Sequence, residues 1–400
     1  MTPGEATRAV HTPLPPVPAE RPMGLPVYRT AAFSFDTAAD YADILSYRRP
    51  GYSYSRVANP TAEAFAQGVA ALEGVNVATE VEGQPFASGM AAISTVLMTL
   101  TKAGAHVLAP CAVYGGTYGV LTSVLQRFGV TTTFVDGSDL SAMRAALRPE
   151  TALIWAETVA NPTMAVADLP ALAALAGEAG IPLVVDSTFA SPAMCRPLEY
   201  GASIVVHSAT KYIGGHSDVT GGVAVGSPEL MARVRHDRID LGGSLSPDDA
   251  FLLHRGLATL PLRVERHCRS ALAVATALSE HPALTRVEHP GLPGHRDHGL
   301  AVKLFDEGRY GGVVTITPRG GRAAGAALCN ALELVQVATS LGGVHSKVSH
   351  VADTTHRQLD DAALAAGGID PGAVRISVGL EDPEDVVADV VQALDRLPVA

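Results

Sequence analysis

The sequence has little that would tie it to a membrane, a nucleic acid or an oxidising compartment. Its 400 residues include only four cysteines, Cys111, Cys195, Cys268 and Cys329, widely spaced and without a CxxC pair. That scatter builds no disulfide framework and suits a reduced, cytoplasmic protein. No uninterrupted apolar run reaches about 18 residues, so no membrane-spanning helix is expected. Residues 12–18 are proline-rich and lack the apolar core of a secretory signal. Basic runs are missing, and 29 Lys+Arg against 40 Asp+Glu leave a net charge of -11. Such a charge disfavours nucleic-acid backbones and anionic lipid surfaces as partners. The glycines at 214–215 and 221–222 lack the GxGxxG spacing of a dinucleotide site. His289, His295 and His298 have no carboxylate or thiolate framework around them, so no metal is expected.

What is present is a large apolar chain. Hydrophobic residues make up 47% and charged residues 17%, enough for a sizeable core and more than one domain. Between 60 and 102 the pattern predicts two helices. In the second, Ile93, Val96, Leu97 and Leu100 form a stripe of helical period that starts at Ser88-Gly89. Strands and helices then alternate. Segments 106–109, 131–135, 152–156, 181–185 and 203–206 are short and apolar or β-branched, and a helical stripe through Leu172, Leu175, Ala176 and Ala179 stops at Gly180. This predicts an α/β fold, with a mixed, mostly parallel sheet covered by helices on both faces. From about residue 250 the rhythm changes. Helical patterns over 251–279 precede strand candidates at 312–317 and 373–378. A last helix has Asp382 as N-cap, Pro383 at its first position, and Val387, Val390, Val391 and Leu394 as its stripe. The expected units are an N-terminal arm (1–60), a large domain (61–250) and a C-terminal α+β domain (251–400).

In open α/β sheets, ligands gather at the carboxyl ends of the strands. Glu157, Asn161, Asp186, Ser208, Thr210 and Lys211 all fall at such ends. Lysine is ordinarily at the surface. One held beside small hydroxyl residues after a buried strand, with a lowered pKa, can bond an aldehyde cofactor. Asp186 can pair with a protonated ring nitrogen; a turn cap before Ser187-Thr188 is the plainer alternative. The helix start at Ala87-Ser88-Gly89-Met90 offers free N–H groups and a positive dipole end, which suit a phosphate. Cys268 lies inside a helical pattern and reads as a buried structural thiol.

These residues sit in blocks that resemble the Cys/Met-metabolism enzymes dependent on pyridoxal 5′-phosphate (PLP). That family includes cystathionine γ-synthase, cystathionine γ-lyase, methionine γ-lyase and the homoserine-ester sulfhydrylases. The blocks are Tyr54-Ser55-Arg56-Val57-Ala58-Asn59-Pro60-Thr61, Ser88-Gly89-Met90-Ala91-Ala92, Tyr114-Gly115-Gly116-Thr117, and Glu157-Thr158 with Asn161-Pro162-Thr163. Asp186-Ser187-Thr188, Ser208-Ala209-Thr210-Lys211-Tyr212 with 214–218, Ser340-Leu341-Gly342-Gly343, and 374–381 around Arg375 complete them. They keep one order over nearly the whole chain.

The resemblance implies an aspartate-aminotransferase-like fold, PLP-dependent transferase fold type I, with PLP as cofactor. Lys211 would hold the cofactor and shuttle protons, and Asp186 would face the pyridine nitrogen. Tyr114 would stack on the ring and assist as acid or base. Ser88, Gly89, Met90, Ser208 and Thr210 would form the phosphate site, and Asn161 would lie near the ring hydroxyl. Arg375, with Ser340, would grip the substrate α-carboxylate, since a planar guanidinium fork matches a carboxylate. Tyr54 and Arg56 would reach the phosphate of a neighbouring subunit in a homotetramer, with Tyr54 also beside the substrate and the N-terminal arm lying on that neighbour. The implied reaction is γ-elimination on a sulfur amino acid such as methionine or cystathionine, giving 2-oxobutanoate, ammonia and a thiol. The alternative is γ-replacement on an activated homoserine.

Some positions depart from the family pattern. Relatives that handle cystathionine tend to carry an arginine where Gly119 stands and a glutamate where His345 stands. The missing charges weaken recognition of a distal amino-acid group and favour an uncharged tail. Methionine γ-lyases often have cysteine at the place of Gly116. Asp353 stands where a small residue is usual.

Overall fold

Seven short strands build the first sheet: β1 (Glu82–Phe86), β2 (His106–Pro110), β3 (Thr131–Val135), β4 (Thr151–Glu157), β5 (Leu183–Asp186), β6 (Ile204–His207) and β7 (Gly222–Gly226). They lie in the order β1-β7-β6-β5-β4-β2-β3. The run from β6 to β3 is parallel; β7 pairs antiparallel with both β6 and β1. The computed structural model describes residues 22–357 and 360–397.

The central strands β4 to β7 are mostly apolar and buried because both faces of the sheet are covered. Side chains alternate across a strand. Ile154, Val185, Val205 and Val225 therefore pack on one side with Phe65, Val69 and Leu172. Leu153, Trp155, Val184 and Val206 pack on the other with Val96, Leu97 and Val234. The flanking helices start and stop where the sequence signals them. Asn59 accepts hydrogen bonds from the N–H groups of Thr61 and Ala62 to open Pro60–Glu73. Ser88 Oγ accepts from Ala91 N to open Gly89–Leu100. Gly180, with φ 68°, closes Leu169–Ala179 in the left-handed region that glycine tolerates.

A second, smaller sheet follows the helices Pro247–Leu257 and Leu260–Leu278. Its strands are β8 (Leu284–Glu288), β9 (Val313–Pro318), β10 (Gln336–Val337), β11 (Lys347–His350) and β12 (Val374–Ser377), in the order β10-β11-β12-β9-β8. Val314, Ile316, Val348, Val374 and Ile376 face the Leu260–Leu278 and Pro383–Asp395 helices, packing on Val274, Leu278, Val390 and Leu394. The alternate residues of these strands, including Thr315, Lys347, Ser349, Arg375 and Ser377, therefore turn the other way. Thr315 Oγ1 donates to Pro162 O at 2.7 Å, so that face meets the first sheet's β4 loop.

The final helix corrects two sequence expectations. Asp382 occupies the N-cap position but makes no side-chain cap; its carboxylate instead accepts from Arg266 Nη2 at 2.9 Å, tying the helix to Leu260–Leu278. The buried stripe is Val386, Val390, Ala393 and Leu394, while Val387 and Val391 are only partly buried at its edge. The helix is rotated slightly toward its Val386 side to meet that neighbour.

The first 21 residues of the expected arm lie outside the described residues. The part that follows buries little: the helix Ala38–Leu45 has no buried residue, and Tyr28, Tyr41, Leu45, Tyr47 and Tyr54 are all exposed. Among the described residues no helix is long and apolar enough to cross a membrane.

Candidate active site

The parallel strands β4, β5 and β6 end side by side on Glu157, Asp186 and His207. Register puts Glu157 directly beside Asp186, so two buried carboxyls are neighbours. Burial and the Asp186 charge together push the Glu157 carboxyl well above the usual carboxylate range. Asp186 is raised by burial, but Thr188 hydrogen bonds and the His207 and Lys211 charges oppose that rise. Of the pair, Glu157 is the one held protonated and Asp186 the one that ionises. Asp186 Oδ1 accepts from Thr188 N at 2.9 Å, and Thr188 Oγ1 accepts from Ser208 N at 2.8 Å. The Asp186 loop is thus fastened to the Lys211 loop.

His207 lies beneath Asp186. Its Nδ1 is 3.1 Å from Ser187 O and its Nε2 is 2.8 Å from Glu73 Oε1. A carbonyl only accepts, so Nδ1 carries hydrogen. The 2.8 Å contact with Glu73 then requires one proton between imidazole and carboxyl. Both side chains are essentially sealed from solvent. This fixed polar pair braces the Ser187 peptide, and hence Asp186, from behind.

Lys211 Nζ donates to Ser340 Oγ at 2.9 Å. Burial is the main cause of its pKa falling from 10.5 to about 8; the Arg375 and Lys347 charges add to the fall and Asp186 opposes it. Ser340 has φ 78°, a left-handed conformation uncommon outside glycine. That turn lets its hydroxyl meet Lys211 while its carbonyl accepts from Arg375 Nη2 at 3.1 Å. Arg375 Nη1 donates to Asn161 Oδ1 at 3.1 Å. Arg375 is 4% exposed, its Nε has no partner, and no carboxylate pairs with it among the described residues. Burial pushes its pKa down to about 10. A sealed guanidinium without an anion is a docking point for one.

Tyr114 N donates to Glu157 Oε1 at 2.6 Å, and the Tyr114 residue is 41% exposed. Burial first, then the Asp186 charge, raises its phenol pKa, so the hydroxyl keeps its proton. Gly116 permits this arrangement: an added Cβ would lie 2.6 Å from both Met90 Sδ and Tyr114 Cε1. At Gly119, by contrast, an added Cβ meets nothing within 4 Å, so packing does not explain the missing side chain there. His345 is exposed. Asp353 has a structural account: it pairs with Arg322, and its Oδ2 lies 2.9 Å from His350 Nδ1.

The residues present fit PLP. The N–H groups of Gly89 and Met90 head a helix, where no intrahelical acceptor exists. An added Cβ on Gly89 would lie 2.5 Å from Ser208 Cβ, and one on Gly222 would lie 2.3 Å from Ser88 O. Backbone is thus packed tightly around a small anion cradle, which side chains at those glycines would fill. Ser88 contributes by capping the helix, and Thr210 Oγ1 is bonded to Gly221. Lys211 and the buried Asp186, whose charges act on one another, have the chemistry to hold an aldehyde and a ring nitrogen. Tyr54 and Arg56 do not join this cradle. Arg56 Nη1 donates to Ile239 O at 2.7 Å and its guanidinium lies over the ring of Tyr54, an exposed residue.

Sequence reasoning left Glu73, Thr188 and Lys347 without a role. Each acts through contacts with segments far away in the chain. Only the sidedness of β11 hints at Lys347. The three histidines at 289–298 are held by local partners: His289 by Gly311 O, His298 by Pro290 O, and His295 beside Glu288. Cys268 is buried within the Leu260–Leu278 helix, and burial pushes its thiol up to about 12.

A family model described as Cys/Met metabolism PLP-dependent enzyme matches residues 6–395. The chain is 41% identical to L-methionine gamma-lyase of Pseudomonas putida, over 98% of this chain and 97% of that one. It is 40% identical to cystathionine gamma-synthase of Mycobacterium tuberculosis, again over 98% and 97%. A crystal structure of a putative O-acetylhomoserine (thiol)-lyase from Campylobacter jejuni, which carries a pyridoxyl-lysine phosphate, superposes with a TM-score of 0.90. That match is at 30% identity and covers 97% of this chain and 99% of the other.

Proposed function

The chain belongs to the Cys/Met metabolism PLP-dependent enzymes, and from that premise we propose that it is a carbon–sulfur lyase catalysing γ-elimination on a sulfur amino acid. The products are 2-oxobutanoate, ammonia and a thiol. One observation carries the reading: a buried lysine of lowered pKa and an unpaired buried arginine share Ser340, so a base and a carboxylate clamp sit on one residue.

PLP, held by Lys211 at rest and by the substrate amine during turnover, would supply the electron sink that makes the α- and β-protons of the substrate acidic and leaves the Lys211 amine free. The chain's own groups do the rest. Arg375, oriented by Asn161 and the Ser340 carbonyl, takes the α-carboxylate and sets which bond of Cα faces Lys211. Lys211 Nζ, with a pKa near neutrality, takes the Cα proton and returns it. The Ser340 hydroxyl holds that nitrogen in place between the two transfers. Tyr114 keeps its proton near neutral pH, which suits it to protonate the departing sulfur. Asp186, braced by Thr188 and the Glu73–His207 pair, would keep the ring nitrogen charged. Gly89, Met90, Ser208 and Thr210 would hold the phosphate.

The site is completed by a neighbouring subunit in this reading. Tyr54 and Arg56 would reach the partner's phosphate, and the exposed aromatic residues of 22–59 support a covered face there. We propose a cytoplasmic homotetramer. Similarity to a cystathionine gamma-synthase and a sulfhydrylase supports γ-replacement as the second reading.

The test is 2-oxobutanoate release from L-methionine and from L-cystathionine, each as sole substrate, by the PLP-loaded protein. Release from at least one of the two is expected. Release from neither would refute elimination and turn the assay to acyl-homoserine esters with a thiol donor.

A further inference from the structure

β11 opens with Lys347, which pairs across the sheet with Ser377, two residues from the Ser349–Arg375 pair. Directly paired residues share a face, and so do residues two apart on one strand, at about 6.7 Å. Lys347 is therefore on the Arg375 face, the one turned toward Lys211. Its Nζ donates to Ser217 Oγ at 2.7 Å, in the loop that follows Lys211. Gly343 leaves room for the contact: an added Cβ there would lie 2.4 Å from Ser217 Oγ and 3.3 Å from Lys347 Nζ.

Lys347 is 8% exposed, and among the described residues no carboxylate pairs with it. Its stem is buried, while its tip is less enclosed than that of Lys211. A partly enclosed ammonium whose hydrogen-bond partner is a neutral hydroxyl keeps its charge uncompensated and has capacity for an anion. Three cations thus line this face: Lys211, Arg375 and Lys347. In the proposed reaction the cofactor takes Lys211 and the substrate α-carboxylate takes Arg375. Lys347 is left without an anion. Neither Gly119 nor the exposed His345 supplies a negative group for a distal ammonium.

We infer that Lys347 is a specificity-determining residue that receives a carboxylate at the far end of the substrate side chain. The preferred substrates are then α-amino acids whose γ-substituent, joined through sulfur or an ester oxygen, ends in an anion. This inference rests on the γ-elimination reading for the orientation of the substrate and extends it to the tail.

Two unreactive amino acids of matched length test it: L-2-aminoadipate, with a distal carboxylate, and L-norleucine, without one. Dissociation constants are read from the change in cofactor absorbance of the PLP-loaded protein. The wild type should bind 2-aminoadipate at least about tenfold more tightly than norleucine, a modest return for one enclosed charge pair. Lys347→Met should erase that ratio, and Lys347→Arg should keep most of it. A wild-type ratio near one would overturn the inference, even if the Met variant failed to fold. So would a Met variant that kept the ratio, or one that lost both affinities alike, since the latter marks a strut between Ser217 and the second sheet. Methionine turnover by the wild type is scored separately. Absence of 2-oxobutanoate release from both methionine and cystathionine would sink the γ-elimination reading while the binding ratio still judged Lys347.

Discussion

Gly89→Ala should weaken PLP binding without unfolding the chain. The new methyl would lie 2.5 Å from Ser208 Cβ and 2.8 Å from Ser208 Cα. Carbon atoms settle at about 3.5–4.0 Å, so the helix start and the Ser208 loop must part by about 1 Å. A hydrogen bond of ordinary length does not survive that opening. Losing one bond to a charged phosphate costs about 1.5–3 kcal/mol, or roughly a 10- to 100-fold rise in the dissociation constant. The measurement is reconstitution of the cofactor-free protein with PLP, followed by absorbance. Gly119→Ala is the internal control, because its methyl meets nothing within 4 Å. If Gly89→Ala bound PLP within about threefold of the Gly119→Ala control, the phosphate would not sit on this helix end and the cradle argument would be wrong.

Three further outcomes follow from the same geometry. Gly116→Cys pushes on Tyr114 Cε1 and Met90 Sδ; kcat on methionine should fall about tenfold, part of the usual worth of a positioned acid, with PLP affinity little changed in the same titration. Glu73→Ala strips the buried His207 Nε2 of its partner, a loss of about 1–3 kcal/mol in urea denaturation of the holoenzyme, and Glu73→Gln should recover part of it. Burial holds the folded-state pKa of Lys211 at about 8 against the ordinary 10.5. Its ammonium therefore destabilises the cofactor-free fold below pH 8, and that penalty fades as pH rises to 10.5. Lys211→Met should accordingly stabilise the cofactor-free protein by about 3 kcal/mol at neutral pH, with the difference from wild type shrinking above pH 8; a constant difference across that range would refute the assignment.

The sequence reading reached the fold because its signals are local. Period-two burial is hidden in a fully covered sheet, but short apolar segments bounded by Gly180 or Asp186 still mark the strands. Asn59, Ser88 and Gly180 announce helix ends through contacts made within a turn. The chemical residues were legible for a different reason: Lys211, Asp186 and Arg375 stand in blocks that resemble one family. What escaped was whatever depends on segments meeting from afar. Glu73 ends a helix and looks like a surface residue until β6 places His207 against it. Asp382 looked like a cap because Arg266, its actual partner, is 116 positions away. Lys347 acquires meaning only from strand register.

Ser340 joins two parts of the site through one residue, its hydroxyl on Lys211, the proposed base, and its carbonyl on Arg375, the proposed clamp. For anyone redesigning this enzyme, that makes substrate choice and turnover hard to tune apart. A change that re-aims Arg375 toward a bulkier or decarboxylated substrate drags the Ser340 peptide, and with it the hydroxyl that steadies Lys211. Selection for a new substrate at this clamp should therefore pass through variants slow on every substrate. Changes at Gly119 or Lys347, neither of which bonds Ser340, leave that linkage untouched and offer the smoother route.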